Sequence, residues 1–146
     1  MEKLIFDSGI REFQINENGV LRFNPSDPNV YARFMEAAEK IKAVEEDMVR
    51  DGKELGSEAG AEVLKLMSNA DRDIKCILND VFGKGNDFDT ILGGVNLMAV
   101  ATNGERVITN LLTALQPILV DGAEACANQQ IGDAVQKAEA RRAGQK

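Results

Sequence analysis

Residues Val20–Phe34 read VLRFNPSDPNVYARF. Leu21 and Phe23 alternate with polar neighbours, the two-residue period of a half-buried strand. From Val30 the period changes. Val30, Phe34, Ala37, Ile41, Val44 and Met48 recur at three- and four-residue spacing, the stripe of an amphipathic helix. Between the two periods stands Asp27-Pro28. An aspartate before a helix accepts from the free amides of its first turn. Proline at the first helical position loses nothing, because its missing N–H would be unpaired there. The stretch therefore predicts a strand, a cap and a helix in immediate succession. The helix is expected over about 28–51, with Gly52 as terminator.

Upstream, IREFQINENGVLRFN at 10–24 contains two short apolar runs around Asn18-Gly19, a dipeptide suited to a tight turn. A β-hairpin over 10–24 follows, with a short additional strand at Lys3–Phe6. Downstream, KELGSEAG is a joint in which Ser57 caps the next helix. That helix, expected over 57–82, carries Val63, Met67, Ala70, Ile74, Ile77 and Val81 as a helix-packing seam closed by Gly83. Four glycines then interrupt residues 83–96, where Phe88, Ile91 and Leu92 can form one buried turn. A last helix over 104–116 is expected to begin at Asn103. It should kink or stop near Leu115, because Pro117 would clash with the Thr113 carbonyl.

These elements define an α+β, mostly α fold: an N-terminal β-hairpin followed by a small bundle of amphipathic helices. Residues 1–120 form a single globular domain. Residues 121–146, rich in Ala, Gln, Glu and Arg, form a helical or partly disordered tail whose apolar stripe thins to Ile131 and Val135.

Composition narrows the chemistry. The 146 residues include no histidine and no tryptophan. That removes the usual general base and the commonest transition-metal ligand. The net charge is −7 and the pI about 4.7, a balance that repels phosphate backbones and speaks against nucleic-acid binding. No apolar stretch is long enough for a membrane span. Cys76 and Cys126 lie far apart and read as buried free thiols in a reducing cytosol.

No motif rises to a catalytic, cofactor or metal site. GKG at Gly83–Gly85 lacks the remainder of a nucleotide loop. Asp87 and Asp89 in DFDT lack the oxygen ligand and glycine that a calcium loop needs next, and read as turn or capping residues. The carboxylates of EAAEK and AVEEDM lie on the polar face of the first helix. Phe34, Met35, Met48, Met67 and Met98 form an apolar set that packs a core or grips a partner helix.

The combination FNPSDP with Tyr31 and Phe34, then EKI, resembles the N-terminal signature of tail assembly chaperones from phages and prophages of Gram-positive bacteria. The matching residues are Phe23, Asn24, Pro25, Ser26, Asp27, Pro28, Tyr31 and Phe34. IKCILNDVFGKG and NLLTALQPIL echo the same family's helix–glycine break–helix pattern. The resemblance implies a non-catalytic protein of the infected or lysogenic host cytoplasm. Its expected partners are the tape-measure protein, the tail tube protein and further copies of itself. Expected contact residues are Val107, Leu111 and Leu115 of the last helix and Met35 and Met48 of the first. Two other readings of so acidic a chain are an inhibitor of a host defence protein and a structural component of the virion. Related genes of that family often make a second, frameshifted product; RRAGQK reads as a simple solvated tail, or as the place of such a slip if Gln145-Lys146 is encoded by an adenine-rich run.

Overall fold

The computed structural model describes residues 1–83 and 85–144, with backbone only for Asp133, Ala134, Ala143 and Gly144. Lys84 of GKG and the Gln145-Lys146 pair lie outside the described residues. The chain is 64% helical with one N-terminal antiparallel hairpin, an α+β, mostly α fold.

Strand β1 (Arg11–Ile15) pairs with β2 (Gly19–Phe23), Arg11 opposite Phe23 and Ile15 opposite Gly19. The connection is therefore Asn16-Glu17-Asn18, and its positive φ falls at Asn16 (48°) rather than at Asn18 or Gly19. Asparagine tolerates that region because its short polar side chain eases the left-handed geometry. Gly19 has another use: a Cβ there would lie 2.8 Å from the Ile91 Cα, so the strand approaches the following structure too closely for any side chain. Lys3–Phe6 form no strand.

The junction folds as its residues dictate. Asn24 Oδ1 accepts from Ser26 N at 2.9 Å, and Asp27 Oδ1 accepts from Asn29 N at 2.9 Å to cap α1 (Pro28–Leu55). Val30, Phe34, Ala37 and Ile41 are buried, while Val44 and Met48 are half-buried. Phe34 is 3% exposed, a core residue whose truncation would cost about 3–5 kcal/mol. The helix runs through Gly52 to Leu55. Gly52 has no special φ, whereas Gly56 at +83° ends the run.

Helix α2 (Gly60–Phe82) returns along α1 and buries Ala70, Ile74, Leu78 and Val81. It starts at Ala59 without a side-chain cap, so Ser57 does not cap it. Gly83, at φ +93°, closes it as expected. Cys76 is exposed and Cys126 half-buried, so neither is the buried thiol its residue type suggests.

Between helices, the one-turn α3 (Phe88–Ile91) plugs the core with Phe88, Ile91 and Leu92. Rings link the layers: Phe13 stacks on Phe23 at 5.1 Å, Phe23 meets Phe82 edge-on at 4.8 Å, and Phe82 meets Phe88 at 5.4 Å. Asn86, buried, mimics a third strand. Its Oδ1 accepts from Arg22 N, and its Nδ2 donates to the Arg22 and Phe82 carbonyls.

Helix α4 spans Val107–Gly144 and passes through Pro117. The start is later than Asn103, whose Oδ1 instead accepts from Glu105 N in a turn. The expected stop at Leu115 is absent for a physical reason. Pro117 and Thr113 are on the exposed side, where water can satisfy the freed carbonyl. Buried Leu115 and Leu119 hold the turns on both sides against the core and offset a penalty of about 3 kcal/mol.

Candidate functional site

Three places gather side chains that could act on something else. The first is a groove between β1 and the start of α4. Half-buried Val107, Leu111 and Ile118 form one wall, Phe13 and Ile15 the other, and Leu92 lies at its base; the volume is about 460 Å³. Leu115 also lines this groove but is 3% exposed, so it belongs to the core and offers no surface of its own. The helical spacing of 107, 111 and 115 placed them on one face. Only the fold adds the aromatic wall from β1.

The second is a cleft of about 270 Å³ between the end of α1 and the start of α2. Met48, Val49, Val63, Leu66 and Met67 line it, with Arg106 at its edge. Arg106 lies 3.8 Å from Glu45, a long ion pair. The fold thus brings Met48 together with Met67. It does not bring Met35 there. Met35 follows buried Phe34 and therefore points about 100° away round the helix, where it is 43% exposed.

The third is polar. Lys75 Nζ donates to Asp71 at 3.0 Å, to Asp89 at 2.6 Å and to the Val95 carbonyl at 2.8 Å. Burial alone would push the ammonium down, but the hydrogen bonds to Asp89 and Asp71 and their charges outweigh it and hold Lys75 above its ordinary range. All three of its donors are taken, so it has neither a free proton to shuttle nor a lone pair for attack. Asp71 Oδ1 also accepts from Leu97 N at 2.8 Å. The cluster ties α2 to α3 and to the loop before α4. Asp87 caps α3 through Asp89 N and Thr90 Oγ1, but Asp89 is an ion-pair partner rather than a cap. The spacing of Asp71 and Lys75 on one helix was a legible signal. Asp89, fourteen residues on, was not.

Among the described residues no group of three or more acidic or cysteine side chains is placed to hold a metal ion, and no helix is long and apolar enough to cross a membrane. The chain matches no family model, no curated protein and no solved structure.

Proposed function

We propose that this chain is a non-catalytic tail assembly chaperone that covers an apolar helix of a phage tape-measure protein until tube subunits polymerise round it. The observation that carries the reading is the stretch Phe23–Phe34, whose FNPSDP junction and aromatic anchors resemble that family's signature. The α1–α2 cleft supports it. Methionine side chains adapt to varied apolar surfaces, and Met48 and Met67 line an open cleft beside exposed Val49. An apolar stripe on a client helix would dock there by the helix-in-groove mode, while the acidic remainder of the chain keeps the complex in solution.

Co-expression tests this. The chain should raise the soluble yield of tape-measure fragments, and Met48→Ser/Val49→Glu should abolish the gain while the domain still melts cooperatively. A yield indifferent to the chain would sink the reading. Detection of the protein in purified virions would favour the structural-component reading instead.

A further inference from the structure

Residues 1–10 carry an unexplained cost. Leu4, Ile5 and Phe6 are 89%, 86% and 73% exposed, three consecutive large apolar side chains in water. The segment is nevertheless anchored. Asp7 Oδ1 accepts from Gly9 N at 2.8 Å, Gly9 turns at φ +76°, and Asn24 Nδ2 donates to the Ser8 carbonyl at 3.1 Å. A Cβ on Gly9 would lie 2.6 Å from that Asn24 nitrogen, so the tie is close. Asn24 follows β2. The tie places Ser8 and Gly9 beside the residue that follows β2.

The edge of β1 away from β2 is unpaired. Among the described residues β1 makes backbone hydrogen bonds only to β2 and, from Ile15, to Asn18 in the connecting turn. The groove lined by Phe13, Ile15, Val107 and Leu111 is bounded by the same strand. An open strand edge beside an apolar groove is a template for an added strand.

We propose that the segment Glu2–Phe6 of one copy of this chain adds as a parallel strand to β1 of a second copy, with Leu4 and Phe6 seated in that copy's β1–α4 groove. Charge complementarity selects the occupant and the register. Set side by side in parallel, EKLIF meets REFQI: Glu2 beside Arg11, Lys3 beside Glu12, Leu4 beside Phe13, Ile5 beside Gln14 and Phe6 beside Ile15. Both ionic positions are opposite in sign, and both apolar anchors fall beside apolar residues. Period two then places Glu2, Leu4 and Phe6 on the face of Arg11, Phe13 and Ile15. The antiparallel register that also matches Leu4 and Phe6 to Ile15 and Phe13 would set Glu2 beside Glu17 and Asp7 beside Glu12, and like charges disfavour it. Glu12 already accepts from Arg22 at 3.0 Å, but a carboxylate has acceptor sites left for Lys3. This pairing needs no tape-measure protein and concerns the chain alone.

Light scattering and sedimentation of the full chain test it. Wild type should self-associate with rising concentration. Leu4→Ser/Phe6→Ser should be monomeric with an unchanged melting temperature, because those side chains are almost fully exposed on their own chain. Ile5→Ser, on the outer face, should associate nearly as wild type. Glu2→Arg and Arg11→Glu should each weaken association about 2- to 5-fold, the range for exposed ion pairs, and the double variant should recover it. On the groove side, Leu111→Glu should abolish association, and Val107→Glu serves if the first fails to fold. A wild-type chain that stays monomeric overturns the proposal. So does association that survives Leu4→Ser/Phe6→Ser or the folded groove variant, or a charge swap without recovery.

Discussion

Gly122 and Gly132 stand ten residues apart on the same helix, and their surroundings differ. A Cβ built on Gly122 would overlap the Pro25 carbonyl, so α4 meets the strand–helix junction backbone to backbone. A Cβ on Gly132 meets nothing within 4 Å. Alanine favours a helix over glycine by about 1 kcal/mol at either place. At Gly122 the overlap with rigid backbone outweighs that gain, and Gly122→Ala should destabilise the fold by about 1–3 kcal/mol. At Gly132 the gain stands alone, so Gly132→Ala should raise the helical circular dichroism and leave the global melting temperature unmoved. Denaturant melts of the two variants, side by side, check the pair. Equal behaviour would mean that α4 does not pack on Pro25 as described.

At the scale of elements, Lys75 fastens α2 to α3 and to the loop before α4 through Asp71, Asp89 and the Val95 carbonyl. Its folded-state pKa is raised, so the folded chain holds the proton more tightly than the unfolded one. The stabilisation is then complete below the unfolded lysine value of about 10.4. It is lost as pH rises through the higher folded value. Lys75→Met should cost on the order of 2 kcal/mol at neutral pH, the range of charge-assisted hydrogen bonds. The gap between the two unfolding free energies should stay constant from pH 7 to about 10 and shrink above it. Other lysines titrate in both proteins and cancel from the difference. A gap that narrows well below pH 10 would contradict the ion-pair assignment.

Across the whole molecule, burial is uneven along α4. Ile108, Leu115 and Leu119 are in the core, and Cys126 is the last half-buried residue. Beyond it every described side chain is exposed, Ile131 and Val135 included. Helix without tertiary contacts is marginal in water, because nucleation is costly and nothing but its own hydrogen bonds sustains it. Amide exchange should therefore divide α4 in two. Amides of 112–116 and 118–120 should be protected close to the global unfolding free energy, and those of 128–142 should exchange orders of magnitude faster. Uniform protection along the helix would require a contact that the described residues of the tail do not make within the single chain.

The sequence by itself determined what local physics decides. Asp27-Pro28 caps α1 whatever surrounds it, the period change at Phe23–Val30 marks strand and helix, and Gly83 can end α2 because glycine accepts a positive φ. Tertiary structure decided wherever a local rule met a competing burial. Gly52 is a helix breaker that does not break. Pro117 is tolerated because Leu115 and Leu119 anchor the turns around it, and Ser57 lies outside the helix it was suited to cap. The grooves were half legible. The spacing of Val107, Leu111 and Leu115 aligned one wall, but Phe13 and Ile15 reach the other only because the hairpin folds against α4. Leu115 shows the limit most plainly: helical period says which residues share a face, and only the packed core says which of them are left any surface.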